Sequence, residues 1–256
     1  MPRLSTLLLL SVIPACATTP TVDELAGDAA TETTTDDKAD AATTGAYTYF
    51  EIRSDLRKCA APTCGGYFLG KLNSSTTKCH DGSTSTACYT PVLDWSEASL
   101  STDQQAKLLD AAYVDATTPG VTSIVRGRFA KTNSTTPRPS LGRFIVTEAW
   151  LREGTGESAG VFVKAYDAGI RCITAPCPST KETALNTSRT AIIGEIDWSA
   201  AGLTDREIEG FQTSLFDPSG ILFAGDRYTA TENGHAFKAR TATAAYHRIT
   251  DAVATE

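Results

Sequence analysis

A serine between glycines is the first feature of this 256-residue sequence whose residue types and spacing could support catalysis. Residues 156–160 read GESAG, which matches the G-x-S-x-G motif of hydrolases with Ser158 as the nucleophile. That chemistry needs the serine on a sharp turn from a strand into a helix. The residues that follow, VFVKA at 161–165, alternate as a β-strand does. We therefore interpret the segment as a linker, and a hydrolase that uses Ser158 remains an alternative.

Paired carboxylates and histidines are the other catalytic candidates. Asp94 and Asp197 each stand one residue before a tryptophan, and two carboxylates are what glycoside hydrolysis requires. An aspartate ahead of a helix start more often accepts hydrogen bonds from nearby backbone amides, which is our interpretation here. The three histidines, His80, His235 and His247, have no partner at catalytic spacing. We therefore expect no catalytic residues and a protein that is not an enzyme.

A cysteine near the N-terminus could carry a lipid. Residues 13–16 read IPAC, which resembles the lipobox that ends in a lipidated cysteine, here Cys16. Arg3 and a following apolar run are typical of a signal peptide, and the run is shorter than the ~20 residues that span a bilayer. We expect a signal peptide over 1–15 and a membrane anchor on Cys16. Because Ala17 follows, we expect an outer-membrane or cell-envelope lipoprotein; plain secretion is the alternative.

The segment after the signal peptide, residues 16–45, is expected to be a disordered acidic tether. It consists mainly of Thr, Ala, Asp and Glu, and it has too few large apolar side chains to offset the entropy of ordering. It holds most of the net charge of −7, so the rest of the chain is nearly neutral. Binding to nucleic acid needs a basic stripe, which this sequence lacks, and we therefore exclude nucleic acid as a partner.

An internal repeat organises the remainder of the chain. Residues 57–64 (RKCAAPTC) and 170–177 (IRCITAPC) share a Cys-x4-Cys spacing. An Asp-Trp-Ser triplet then follows in each copy, at 94–96 and 197–199. Several landmarks that recur in one order indicate a duplication. They delimit two tandem modules, 46–152 and 160–249.

Each repeat predicts the same secondary structure. Ser101 with Gln104, and Thr204 with Glu207, have the pattern of a capping box, which marks a helix start. Strand-like segments lie on both sides of each helix. We expect an α+β, β-dominated fold of two homologous modules, each with about five strands and one helix, in the order found in small OB-like barrels. The alternative is that both copies pack into one pseudo-symmetric domain.

The motifs of the first repeat carry a resemblance to a known family. They comprise CAAPTCGGYF at 59–68, Asn73, CHDG at 79–82, Cys88 with Tyr89, and the triplet at 94–96. With these, the chain resembles an uncharacterised family of exported bacterial lipoproteins that is named only as a domain of unknown function. The resemblance covers most of 47–150 and implies secretion and a repeated, cysteine-bearing domain. It implies no activity, so it assigns no functional residues.

Six cysteines remain after Cys16, and in an exported protein they favour disulfides. The second repeat keeps one pair and lacks the stretch that holds the other two cysteines of the first repeat, which suggests that those two are partners. The predicted disulfides are Cys59–Cys64, Cys79–Cys88 and Cys172–Cys177. A zinc site from Cys59, Cys64 and Cys79 with His80 or Cys88 is the alternative. We expect no metal and no cofactor.

These observations favour a membrane-anchored exported lipoprotein that acts as a non-catalytic binding or structural module of the envelope, with an unidentified protein ligand. A secreted protease inhibitor is an alternative, because the stapled loops around Pro62 and Pro176 present rigid backbone. The hydrolase that uses Ser158 is the remaining alternative.

Overall fold

The described part of the protein, in a computed structural model, comprises residues 47–113, 120–130 and 141–250. The predictions for the signal peptide, for Cys16 and for the tether lie outside these residues. We call 47–153 the first repeat and 160–250 the second repeat.

The first repeat contributes eight of the described strands and the second contributes six, and each repeat has one described helix. The first repeat contains β1 (Thr48–Ser54), β2 (Tyr67–Lys71), β3 (Thr77–Lys78), β4 (Thr84–Ser85), β5 (Cys88–Thr90), β6 (Leu93–Asp94), α1 (Thr102–Ala112), β7 (Ser123–Ala130) and β8 (Arg143–Glu153). The second repeat contains β9 (Val161–Asp167), β10 (Thr180–Ala184), β11 (Thr190–Ile193), β12 (Glu195–Asp197), α2 (Asp205–Ser214), β13 (Ile221–Glu232) and β14 (His235–Arg248).

One large, mostly antiparallel sheet replaces the expected pair of modules. Twelve of the described strands join it, and its main path runs β11-β10-β9-β13-β14-β8-β7-β1-β2-β5. The prediction of an α+β fold with two modules or small OB-like barrels is therefore wrong. The cause is the pairing of β14 with β8, in which Arg248 lies opposite Trp150 and Tyr246 opposite Arg152. An alternating pattern identifies a strand but does not specify the strand beside which it lies.

The duplication survives as symmetry within this sheet. The path reads the same from either end, with β8 and β14 at its centre, and the short β6 and β12 pair in parallel with those two strands. A bulge precedes Gly127 in β7 and Gly225 in β13. At both glycines a Cβ atom would collide with a backbone carbonyl of the neighbouring strand. The alternative of one pseudo-symmetric domain is the arrangement that the structure has.

The two helices begin where the sequence predicts. Ser101 and Thr204 are the N-caps of α1 and α2, and both capping boxes are formed. In α2 the side chain of Thr204 accepts from the Glu207 amide at 3.4 Å, and Glu207 Oε2 accepts from the Thr204 amide at 2.6 Å. Two otherwise unpaired amide donors are thereby satisfied at the helix start.

Three clusters of buried side chains form the core. One lies under each helix, and it includes Leu108 of α1 in the first repeat and Phe211 of α2 in the second. Trp198 packs on Phe211 with ring centroids 5.6 Å apart. The third cluster draws on both repeats, so their burial is shared: Leu72, Ile124, Trp150, Leu185, Leu222, Ala244 and Tyr246.

Two asparagines also join the repeats. Asn73 follows β2 and Asn186 follows β10, and both have a left-handed backbone, with φ of 58° and 61°. The Asn186 amide donates to the carbonyls of Tyr49 and Leu72, at 2.7 and 2.9 Å, and its Oδ1 accepts from the Tyr49 amide at 2.7 Å. Asn73 makes the equivalent three hydrogen bonds with Phe162 and Leu185 of the second repeat. Each repeat therefore satisfies backbone groups of the other.

The core of the second repeat contains a buried ion cluster. The Glu182 carboxylate is fully buried and pairs with the buried Arg240, with Nε–Oε2 at 2.6 Å, and with Arg227. The strand registers place three apolar residues at the corresponding positions of the first repeat: Leu69, Phe129 and Phe144. The two cores thus differ in chemistry at one equivalent site.

Candidate binding surface

The six described cysteines lie in the three predicted pairs. Cys59–Cys64, Cys79–Cys88 and Cys172–Cys177 have Cα separations of 5.7, 5.4 and 5.5 Å, which suit disulfides. This pairing supports the predicted disulfides. The first and third pairs close the loops that join the first two strands of each repeat. The equivalent loops allow a direct comparison of the two outer ends of the sheet.

The outer end of the first repeat, formed by the loop 55–66 and β5, is closed by a stacked arginine. The Arg57 guanidinium lies over the rings of Phe68 and Tyr89, at 5.0 and 5.3 Å from their centroids. It also donates to the buried Asp55 at 2.9 Å, and this hydrogen bond holds the pKa of the Asp55 carboxyl below its usual range. The Tyr89 hydroxyl donates to the Pro62 carbonyl at 2.8 Å. These contacts fasten the loop to the strands.

A stapled hairpin is a further feature of this end. Strands β3 and β4 form a small separate ladder, and the Cys79–Cys88 disulfide ties it to the first residue of β5. Strand β5 is short, and Pro91 follows it directly. Short edge strands and nearby prolines are devices that discourage pairing with other chains.

The outer end of the second repeat, formed by the loop 168–179 and β11, has different chemistry at the same positions. The registers place Lys181 where the first repeat has Phe68, and Ile192 where it has Tyr89. The shared cysteine spacing places Ile170 at the position of Arg57. The stack is therefore absent among these residues, and Ile170 and Ile192 are 39% and 36% exposed.

The stapled loop of this end presents a fully exposed isoleucine. Ile173 lies between the paired cysteines and is 103% exposed, whereas the corresponding residue of the first repeat is Ala60. Arg171 holds the base of the loop through two hydrogen bonds to Asp167, both of 2.9 Å. They lower the pKa of the Asp167 carboxyl. A large apolar side chain on a braced loop is a feature of protein-binding sites.

Strand β11 is the last strand on its side of the sheet in the described chain. The Ala184 amide donates to the Arg189 carbonyl at 2.9 Å, which makes these two a hydrogen-bonded pair at the start of the β10–β11 ladder. Since hydrogen-bonded and non-hydrogen-bonded pairs alternate in an antiparallel ladder, Ala191 and Ile193 bond to β10. The backbone groups of Thr190 and Ile192 therefore point away from β10, to the side on which the Gly194 amide donates to the Lys238 carbonyl of β14 at 2.8 Å.

Ser158, the nucleophile of the alternative hydrolase hypothesis, lies elsewhere and bonds to the backbone of a neighbouring segment. The residues after Ser158 enter β9 and not a helix, so the segment does not have the geometry of a nucleophile elbow. Ser158 Oγ accepts from the Val121 amide at 2.6 Å, and the neighbouring Ala159 amide donates to Thr243 at 3.0 Å. These bonds fasten the connection between the repeats to the segment before β7 and to β14.

Asp94 and Asp197 each accept hydrogen bonds from the backbone of their own repeat. Asp94 and Asp197 each accept from the backbone amide of the serine two residues later, at 3.0 Å in both cases. Asp94 also forms an ion pair with Arg143 at 3.1 Å, and its hydrogen bonds with Ser96 lower the pKa of its carboxyl. The interpretation of these residues as backbone acceptors is confirmed.

One histidine lines a cleft of about 320 Å³ beside α2. His247 Nδ1 lies 2.8 Å from Glu153 Oε1, although the angles are not those of a hydrogen bond. Burial lowers the pKa of His247, against the opposing effect of the Glu153 carboxylate. The first repeat has Leu151 where the second has His247, so this pair breaks the internal symmetry. In the described ranges, no group of three or more potential metal ligands occurs.

His80 and His235 lie apart from this cleft. His80 packs against Gly142, and His235 is exposed at the start of β14. The structure does not bring them together with Ser158 or with the two aspartates in any hydrogen bond among the described residues.

Comparison with known proteins gives a family. The domain of unknown function DUF6748 matches residues 48–251, which is most of the chain. The chain belongs to the DUF6748 family. No curated protein and no solved structure matches the chain. The resemblance to a family without an assigned activity is therefore confirmed, and the family itself supplies no site residues.

The disulfides of the DUF6748 chain bear on its cellular location. Three disulfides in the described residues indicate an oxidising, extracytoplasmic environment. Among the same residues, no helix is both long and apolar enough to cross a membrane.

The most informative features of this DUF6748 domain were not predicted from the sequence. The roles of Asn73 and Asn186 depend on contacts between distant segments, and their only signal is their equivalent position in the repeat. The exposed isoleucines of the second outer end could have been found by aligning the two cysteine loops. In that alignment Ile170 replaces Arg57 and Ile173 replaces Ala60.

Proposed function

We propose that this protein is an exported, lipid-anchored envelope protein that binds a protein ligand without catalysis. In this proposal Cys16 carries the lipid, residues 17–45 act as a spacer, and the folded domain presents its binding surface away from the membrane. The disulfides support an exported location, because such bonds persist in oxidising compartments.

The observation that carries the binding role is the exposure of Ile173. Ile173 is fully exposed, so its side chain is not packed in the core of this chain and its apolar surface is available to a partner. The equivalent position of the first repeat is alanine, and Arg57 covers that end. The second outer end therefore has the apolar, braced character of a binding site, and the first does not.

Site-specific crosslinking in the native bacterium tests this role. A photoreactive residue is placed at Ile173 in one variant and at Ala60 in a matched control. We expect a discrete protein adduct from position 173 only, which excess unmodified protein suppresses and excess Ile173→Asp protein does not. Equal adduct patterns from both positions would contradict the proposal.

A separate experiment tests the anchor. Cells are grown with an alkyne-bearing fatty acid, and the wild-type chain is compared with Cys16→Ser. We expect the wild-type protein to incorporate the label and to fractionate with membranes, and the variant to lose both properties. Labelling of the Cys16→Ser protein would refute the lipid site.

A protease inhibitor is the second candidate, and the braced loop 172–177 favours it. Rigid loops bind with a small entropic cost, as protease inhibitors require. Inhibition of a protease at a one-to-one ratio, lost in Ile173→Asp and on reduction, would identify this function. Cleavage of the loop without inhibition would rule it out.

A further inference from the structure

We propose that a cluster of basic side chains, beside the core that the two repeats share, binds a phosphate group. The cluster comprises Arg126 of β7, Lys164 of β9 and Arg248 of β14, and the hydroxyl of Tyr49 is a further donor. Both repeats contribute to it. It shares no residue with the second outer end, so this site and the proposed protein-binding surface do not depend on each other.

A row of three polar side chains forms one wall of the site. The strand registers place Tyr49, Arg126 and Glu148 side by side in β1, β7 and β8. Arg126 Nη1 donates to Glu148 Oε1 at 2.7 Å, and the guanidinium carbon lies 5.7 Å from the centroid of the Tyr49 ring. Burial raises the pKa of Tyr49 to about 12, so its hydroxyl keeps its proton and can donate to an anion.

Two cations of the second repeat face this row. Arg248 pairs with Trp150, which lies two residues after Glu148, so Arg248 and Glu148 are diagonal neighbours within reach of each other. Lys164 is partly buried. Burial lowers the pKa of Lys164, the Glu148 carboxylate opposes this shift, and the two arginines add to it. The three cations and Glu148 therefore form one electrostatic cluster.

This cluster has an excess of positive charge. Among the described side chains that act on Lys164, one carboxylate accompanies two guanidinium groups. With the ammonium itself, two positive charges are left without a counter-ion in this group. Repulsion between like charges is strong where water is partly excluded, and such an excess attracts anions. The Arg126 side chain is 35% exposed, so a small ion can reach the cluster from solvent.

The charge and the donors favour phosphate over a carboxylate. A phosphate monoester carries about −1.5 to −2 charges at pH 7 and has three acceptor oxygens, which matches the excess of the cluster. Arginine and lysine are the side chains that commonly bind phosphate in proteins. Within the described chain, the buried Arg126 Nε has no hydrogen-bond partner, and a phosphate oxygen could accept from it.

The equivalent place formed by the opposite strands of the two repeats lacks this chemistry. There the row in β9, β13 and β14 consists of Phe162, Ala224 and Ala244. The registers also place Glu51 at the position that corresponds to Lys164. The shared fold therefore does not require the polar row or the lysine, which favours a role for them in binding.

Calorimetric titration of the full chain with inorganic phosphate, at constant ionic strength in chloride, tests this assignment. Succinate replaces phosphate in a parallel titration, and glycerol phosphate distinguishes an esterified ligand from the free ion. Lys164→Gln removes one cation of the site, and Lys181→Gln, at a partly buried lysine of β10, is the matched control. The double variant Arg126→Ala with Glu148→Ala copies the alanines of the opposite strands and leaves neither partner of the ion pair behind.

We expect wild type and Lys181→Gln to bind phosphate equally, and Lys164→Gln and the double variant to bind at least about tenfold more weakly. Tighter binding of glycerol phosphate would identify an esterified ligand, whereas tighter binding of inorganic phosphate would identify the free ion, and both results support the site. Urea unfolding shows whether each variant is folded; if Lys164→Gln is not, the double variant decides by the same criterion. No saturable binding by wild type, undiminished binding by a folded site variant, or succinate bound as tightly as phosphate would overturn the proposal.

Discussion

At the scale of single residues, the two left-handed asparagines hold the repeats together. An asparagine accepts the left-handed backbone more readily than most residues, and its amide group can bond to two carbonyls and one amide at once. Asn73 and Asn186 use this capacity on opposite repeats. Their hydrogen bonds link strands between which other strands of the sheet lie.

Asn186→Gly should therefore destabilise the whole domain. Glycine keeps the backbone conformation, so the variant isolates the loss of three hydrogen bonds at about 1 kcal/mol each. We expect the free energy of unfolding in urea to fall by about 2–4 kcal/mol. Asn233→Gly, at an exposed residue with φ of 51°, is the control and should change it little. Equal effects of the two substitutions would be inconsistent with this role.

The buried ion cluster is a second determinant of stability at this scale. Glu182→Ala leaves the buried Arg240 and its neighbour Arg227 without their shared anion. Removal of one partner of a buried pair costs about 3–5 kcal/mol, which is the loss that we expect in denaturant unfolding.

The first repeat indicates which substitutions should compensate for the loss of Glu182. Its residues at these positions are apolar, so the triple substitution Glu182→Leu, Arg227→Phe and Arg240→Phe copies a core that already folds. Apolar replacement of a whole buried ion cluster is often neutral or stabilising by about 1–4 kcal/mol. We expect the triple variant to unfold at the wild-type denaturant concentration or above it. A triple variant as unstable as Glu182→Ala would disprove the equivalence.

His247 should give the domain a pH dependence. Burial lowers its pKa below the value of about 6.5 in the unfolded chain, so the unfolded state binds its proton first as pH falls. Above about pH 6.5 the imidazole is neutral in both the folded and the unfolded chain, and its burial does not reduce stability. As pH falls from that value through the lowered pKa of the folded state, protonation of the unfolded chain reduces the free energy of unfolding. Glu153 opposes this shift and Lys107 of α1 adds to it.

His247→Leu, which copies Leu151, should remove this part of the pH dependence. We expect the variant to lose less free energy of unfolding than wild type between about pH 7.5 and pH 5. His235→Gln, at an exposed position, is the control and should follow the wild-type curve. Parallel curves for wild type and His247→Leu would show that the histidine does not contribute.

At the scale of elements, α2 carries a glycine that its position does not require. Gly210 lies within the helix, and a Cβ atom there would meet nothing within 4 Å. Glycine inside a helix costs roughly 0.5–1 kcal/mol relative to alanine. We expect Gly210→Ala to raise the free energy of unfolding by this amount in urea. A destabilised variant would mean that the cleft wall at Gly210 tolerates no side chain.

Local sequence signals predicted the helices and the disulfides better than they predicted the arrangement of the strands. The capping boxes at Ser101 and Thr204 set the helix starts, because their interactions span only three residues. The disulfides followed from comparing the repeats. The junction of β8 with β14 depends on contacts between the ends of the two copies, and no local pattern encodes it. The exposure of Ile192 likewise depends on which strand is last in the sheet.

At the scale of the whole molecule, a duplicated unit has diverged at its two ends. The shared core and the reciprocal asparagines preserve the symmetric centre. The first end is closed by the Arg57 stack and carries the stapled hairpin, whereas the second lacks both and has three exposed isoleucines. Such divergence is expected when one copy maintains the fold and the other presents a binding surface.

A variant that closes the second end tests this account most directly. The variant carries Ala168→Asp, Ile170→Arg, Ile173→Ala, Lys181→Phe and Ile192→Tyr, which copy the residues that close the first end: Asp55, Arg57, Ala60, Phe68 and Tyr89. Tagged wild-type and closed-end chains are crosslinked in native cells, and the co-purifying proteins are quantified by mass spectrometry. We expect both chains to unfold at the same urea concentration, and at least one partner to be depleted about tenfold with the closed-end chain. Identical partner profiles would contradict the claim that the second outer end is the binding surface.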